Sequence, residues 1–192
     1  MIHNADIRQE MEKTLAFQFD QQPRVYDMLA YLVEKYGLKA ISQKVQKPLK
    51  NLKVACYYGC LSVRPAEITG IDSTENPMQL DNLMKALGAT PVSWSYKVDC
   101  CGAGHSVAKS AMVTNLSGKI LAKAREAGAD AVVNSCPLCQ TNLEMRRPQG
   151  EDIPVFFFTE LMGLALGSPE AHDWWNKHLV DPSKIVNSIQ AE

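Results

Sequence analysis

Apolar and polar positions change period along this chain, and the change marks where its main domain begins. Through the first fifty residues the spacing is helical. Asp6 to Phe19 is rich in helix formers and is broken by Gln21-Gln22-Pro23. Val25, Met28, Leu29, Leu32 and Val33 then recur at three-and-four spacing as far as Tyr36, and Gly37 supplies a stop. Leu38 to Leu49 reads as a short further helix ending near Pro48.

From Leu52 short apolar runs take over. Leu52-Lys53-Val54-Ala55-Cys56-Tyr57-Tyr58 has strand length and aromatic content, and Gly59-Cys60 turns out of it. After a loop at Asp72 to Pro77, Leu80, Leu83, Met84 and Leu87 mark a helix closed by Gly88. Thr90 to Trp94 predicts a second strand, and a long helix follows from about Ser106 to Ala127. Ala131 to Asn134 is a third strand, with a helix over Gln140 to Arg146, and Pro154 to Phe158 is a fourth, with a helix over Glu160 to Leu166. Strands alternating with helices predict an α/β fold with a Rossmann-like, mostly parallel sheet and flanking helices. The boundaries are a helical N-terminal extension over 1–50, a cysteine-rich α/β domain over 51–168, and a C-terminal helix and tail over 169–192.

Composition narrows the class. The chain has 192 residues, of which 46% are hydrophobic, enough for a buried core. Its 20 basic and 21 acidic residues leave a net charge of −1, which offers nucleic acid or an anionic membrane no attraction. The N-terminus lacks the basic start and apolar run of a secretion signal, and no window approaches a membrane span. The expectation is a soluble, cytoplasmic protein with no membrane insertion, and in that reducing compartment clustered cysteines point to metal or redox chemistry.

The six cysteines all fall between Cys56 and Cys139. Cys60, the vicinal pair Cys100-Cys101 and Cys136-Pro137-Leu138-Cys139 each follow a predicted strand, so three loops are expected to meet at the carboxyl edge of the sheet, where α/β ligands bind. Helix N-termini after two of these loops favour thiolate charge. Gly102 and Gly104 allow backbone to approach a bulky ligand, and Pro137 suits the first turn of a helix. A tetrahedral zinc site or a cubane cluster takes four ligands, and here five thiols converge without Cys56. The surplus points to a larger iron–sulfur assembly or to a cluster with a spare thiol. Structural zinc on four of the five, and a metal-free thioredoxin-like dithiol at Cys136 and Cys139, remain open.

Gly59-Cys60, 39 intervening residues, Cys100-Cys101-Gly102, 33 more, and Cys136-Pro137-Leu138-Cys139 resemble the cysteine-rich CCG domain. The segments from Val54 to Pro65 and from Asn134 to Arg146 are similar to the B-type subunit of heterodisulfide reductase, and the resemblance runs from Val25 to about Phe158. It implies a noncubane [4Fe-4S] cluster on Cys60, Cys100, Cys101, Cys136 and Cys139, with Gly102 beside it and catalysis through the cluster in disulfide–thiol redox chemistry or electron transfer. The B-type subunit has two CCG halves and this chain matches the second. The resemblance therefore implies that the facing half comes from a self-associated second copy or from other heterodisulfide reductase-like subunits, around a disulfide or sulfur-carrier substrate.

Other residues carry weaker signals. Cys56, inside a strand, reads as a buried small apolar residue. His105 follows the vicinal cysteines and is a candidate donor to a cluster sulfide or to substrate, with a plain helix-start role as the alternative. Arg64 is either an anion-binding group or an exposed arginine. Lys97 and Lys109 read as solvated surface. Tyr57-Tyr58 and Phe156-Phe157-Phe158 read as core. Trp174-Trp175, near His172 and His178, reads either as one indole docking a partner, since neighbours on a short helix point apart, or as ordinary packing.

Overall fold

The computed structural model describes residues 4–18 and 25–190. Helix α1 (Ala5–Leu15) begins where the Asn4 side chain accepts from the Asp6 and Ile7 N–H groups, and it buries none of its residues. The helix expected to run on to Phe19 ends at Leu15, where Ala16 turns at φ +49°, and the breaker at Gln21 to Pro23 lies outside the described residues. Asp27 caps α2 (Met28–Ala30), which widens into a π-helical turn, Tyr31–Gly37. Gly37, at φ +93°, separates that turn from α3 (Leu38–Ser42). The helix expected to reach Leu49 stops at Ser42. Beyond it the Gln46 and Lys47 N–H groups bond to the Ala165 carbonyl and the Leu49 N–H to that of Leu87, so long-range partners replace helical ones.

Four strands form the sheet: β1 (Lys53–Tyr57), β2 (Thr90–Pro91), β3 (Ala131–Asn134) and β4 (Val155–Phe157). All pairs are parallel, in the order β2-β1-β3-β4, with Tyr57 opposite Asn134 and Val133 opposite Phe156. The chain leaves central β1, passes through the short helix α4 (Ala66–Thr69), adds β2 on one side and returns to place β3 on the other. A topological switch point therefore lies between β1 and β3. β2 is shorter than the Thr90 to Trp94 expected. It bonds to β1 through the Thr90 and Val92 N–H groups, with the Pro91 nitrogen on the open edge, and the chain then peels away so that the Trp94 indole donates to the Cys56 carbonyl at 3.1 Å.

Alternation along β1 divides the core into two layers. Val54, Cys56 and the following Tyr58 pack with Leu80, Leu83 and Met84 of α5 (Gln79–Ala86) and with Leu161 and Leu164 of α8 (Phe158–Ala165). Ala55 and Tyr57 pack on the other face with Ile120, Leu121 and Ala124 of α6 (Ser110–Glu126) and Leu143 of α7 (Pro137–Met145). Both faces of the sheet are covered, which is why β1 and β3 read as continuous apolar runs. Each large side chain so buried contributes roughly 1.5–3 kcal/mol. Leu29, Ile41 and Leu49 before the sheet, and Trp175, Val186 and Ile189 after it, belong to the α5/α8 layer.

Two surface expectations are corrected. Both tryptophans pack on the domain: Trp175 is buried edge-on against Phe156, and Trp174 lies over Gly163, where a Cβ would meet its ring at 2.6 Å. Glycine leaves the space that the second indole fills, so ordinary packing is the reading that the structure favours. Lys97 is buried, not solvated; its ammonium lies 3.0 Å from Asp81 and 2.7 Å from the Pro77 carbonyl.

Candidate functional site: a thiol cluster at the switch point

The three cysteine-bearing loops meet at the carboxyl edge of the sheet. Leaving β1, the Tyr58 and Gly59 N–H groups both donate to the Lys97 carbonyl, at 2.7 and 3.2 Å. This ties the Cys60 loop to the segment entering Cys100. The result is a Cys60 Sγ to Cys100 Sγ separation of 3.7 Å. The same lysine, anchored through its ammonium to Asp81, therefore holds two thiol loops in register through its backbone.

On the inner side, Cys101 Sγ lies 3.6 Å from Cys139 Sγ. Asn142, one turn beyond Cys139 on α7, donates to the Cys101 carbonyl at 2.5 Å and accepts from the Ser106 hydroxyl at 2.6 Å. Tyr57 donates to the Asp99 carbonyl at 2.6 Å. These bonds pin both ends of the vicinal pair to β1 and α7. Gly102 turns at φ +78°, where a Cβ would meet Leu116 and Val113, and its N–H reaches Cys100 Sγ at 3.3 Å. Gly59, at φ +68°, leaves the space beside Cys139: a Cβ there would sit 2.7 Å from its sulfur.

All six cysteines are free thiols. The hydrogen bond donated by Cys139 holds Cys101 at a pKa of about 6, with the Ala103 backbone and Asn142 helping against burial. Cys136, at the start of α7, is likewise lowered to about 6, first by Cys139 and then by the Cys139 and Leu138 backbone N–H groups. Cys139 is the group that keeps its proton, its pKa pushed up by bonding to both neighbours. Burial raises Cys60, and Cys100 beside it adds to the shift. Cys56 is fully buried in β1, and burial pushes its thiol far up, as suits a packing residue. Five soft sulfur donors with no hard donor among them suit iron–sulfur or zinc chemistry over magnesium or calcium. They divide into a Cys60–Cys100 pair and a Cys101–Cys139–Cys136 group. Among the described residues, no three His, Cys, Asp or Glu side chains close around a single ion position.

Of the other candidates, His105 is exposed on the turn after Gly102, and Lys109 is exposed too. Arg64 pairs with Glu75 at 2.6 Å on the surface. Local sequence pattern did not reveal Tyr57 as a brace, Asn142, or the Lys97 carbonyl. Asn142 alone left a signal, being three residues from Cys139 on one helix face.

Fold and site together define an α/β domain with a five-thiol centre at its switch point. Residues 54–144 match the family model described as CCG, cysteine-rich domain, and the chain carries a CCG domain of the kind in the B-type subunit of heterodisulfide reductase. It is 38% identical over 158 residues to the 8-methylmenaquinol:fumarate reductase membrane anchor subunit of Wolinella succinogenes, covering 78% of this chain and 55% of that one. To the B-type subunit of the ferredoxin/F(420)H(2)-dependent CoB-CoM heterodisulfide reductase of Methanosarcina acetivorans it is 33% identical over 168 residues, 82% of this chain and 56% of the relative. The corresponding subunit of the ferredoxin:CoB-CoM heterodisulfide reductase of Methanosarcina mazei is also 33% identical, over 170 residues, 82% of this chain and 56% of the relative. The chain thus spans a little over half of the curated relatives it matches. Among the described residues no helix is long and apolar enough to cross a membrane.

Proposed function

We propose that the chain is an iron–sulfur subunit of a reductase complex, with Cys60, Cys100, Cys101, Cys136 and Cys139 holding a noncubane [4Fe-4S] cluster. The observation that carries this reading is the meeting of five thiols from three loops at the switch point, inside a CCG domain. When bound, such a cluster supplies one-electron steps and open iron positions for sulfur chemistry.

The chain's own residues prepare the place. The α7 N-terminus and the Gly102 N–H offset thiolate charge, and the Lys97 carbonyl and Asn142 fix the loops. Gly59 and Gly102 keep Cβ atoms out of the crowded turns. Tyr57, its phenol held far above its ordinary pKa first by burial and then by the cysteine cluster beside it, remains a neutral donor beside the thiols. Six free thiols suit a reducing, cytoplasmic setting. The relatives' names place them in reductase complexes, one named for a menaquinol and others for a heterodisulfide. By extension this chain works with further reductase subunits or with a second copy of itself, on disulfide–thiol redox or electron transfer.

Native mass spectrometry of anaerobically isolated protein tests this reading. The expected species is an assembly whose excess mass equals four irons and their sulfides per chain; a stable monomer of apo mass contradicts it.

A further inference from the structure

A cavity of about 620 Å³ opens at the carboxyl ends of β1 and β3, against the outer side of the thiol centre. Its size lies inside the roughly 300–1,000 Å³ typical of small-molecule sites, and its position is where open parallel sheets bind ligands. Leu61 and Ser62 come from the Cys60 loop, and Ser135, Cys136 and Pro137 from the loop after β3. Leu29, Ala30, Tyr58 and Ile71 add apolar wall. The cavity thus touches two of the three cysteine loops.

Its chemistry selects the ligand. No lysine, arginine or histidine is among the described lining residues, whereas Asp27 and Glu34 are. An anionic disulfide or thiol bearing carboxylate, sulfonate or phosphate would meet like charge and find no counterion. The cavity edge carries two carboxylates that only accept, Asp27 and Glu34, the latter held by the Gln79 amide at 3.0 Å. The Ser62 and Ser135 hydroxyls of the lining both donate and accept. An apolar slot edged by carboxylates fits a flat, uncharged ring that carries hydroxyl donors.

We propose that this cavity binds a neutral quinol, its ring against the apolar wall beside Cys136 and its hydroxyls donating to the Asp27 and Glu34 carboxylates. Binding stands on the cavity; use of the quinol as electron donor rests on the iron–sulfur reading above. Because the two carboxylates only accept, the reduced form binds more tightly than the quinone, which has no O–H to donate, by about tenfold.

The test is anaerobic calorimetry on the full chain as isolated, with iron measured in the same sample. The probe is 2,3-dimethyl-1,4-naphthoquinol, whose methylated positions keep thiols from adding to the oxidised ring. Quinol binding that falls at least tenfold in Ala30→Trp or in Ser62→Trp, from two different segments of the lining, and is unchanged in Met112→Ala on the far layer, supports the assignment. Circular dichroism identifies which variants are folded. Equal affinity for quinol and quinone, quinol binding indifferent to both fillings, or tighter binding of glutathione disulfide at the same residues overturns it. Quinol binding to iron-free protein supports the cavity assignment while contradicting the iron–sulfur reading, and an iron-loaded protein that binds no quinol overturns the cavity assignment alone.

Discussion

Cys101 and Cys139 bring their sulfurs to 3.6 Å although they come from different loops, one leaving the β2 side of the sheet and one on the first turn of α7. Asn142 and the glycine at position 59 make that approach possible, the first by clamping the Cys101 carbonyl and the second by leaving room at the Cys139 sulfur. If the pair belongs to one cluster, Cys101→Ala and Cys139→Ala each abolish the visible absorbance of anaerobically prepared protein. Cys56→Ala keeps it and loses only about 1 kcal/mol of stability through the missing sulfur volume. A Cys56 variant without iron would show that the thiol set is misassigned.

Gly59→Ala is expected to act on the site more than on the fold. A residue with a Cβ is strained at φ +68°, at a cost of roughly 1–3 kcal/mol, and the new methyl falls 2.7 Å from Cys139 Sγ. Iron per chain should drop severalfold while the far-ultraviolet circular dichroism stays native. Full iron content would mean that Cys139 has room to spare.

Lys97 is where sequence and structure part most clearly. A lysine in a loop ordinarily faces water, and nothing local in Tyr96-Lys97-Val98 says otherwise. Its burial depends on Asp81, sixteen residues earlier on α5, which also accepts from the Tyr58 hydroxyl at 2.7 Å. Removing the ammonium in Lys97→Met leaves that carboxylate buried without its cation. The expected loss is roughly 3–5 kcal/mol in urea unfolding, and Lys97→Met with Asp81→Asn recovers part of it. Two independent, additive losses would show that the pair is not coupled.

The sheet and the thiol loops were legible because each strand is a short apolar run with a turn signal, and because each cysteine sits just past one. Local pattern sufficed for β1, β3 and α7. It failed where distant partners decide: Gln46, Lys47 and Leu49 give their N–H groups to Ala165 and Leu87, and Trp174 fits only because position 163 is glycine. The cavity was hidden too, since Ala30, Ile71 and Pro137 converge only when the fold is complete.

His178 supplies a pH-dependent fastening for the C-terminal segment. Its ring nitrogens lie 3.3 Å from Glu144 and 2.9 Å from Glu160. Burial alone would lower its pKa, but the two carboxylates outweigh burial and raise it from 6.5 to about 9. A pKa raised by folding means stability that is fully present below pH 6.5 and lost as pH rises through about 9. In urea titrations wild type should therefore lose stability across that window relative to His178→Gln, which has no proton to lose. Parallel pH profiles would show that the imidazole is neutral in the folded protein.

The central claim is that the five switch-point cysteines hold iron and sulfide. Iron, acid-labile sulfide and zinc, measured together with the visible spectrum on protein purified without oxygen, test it most directly. Iron and sulfide in equal amounts with broad sulfide-to-iron absorbance, both lost in Cys100→Ala and Cys136→Ala, are the predicted result. Zinc with a colourless spectrum, or a colourless protein with neither metal, would contradict it.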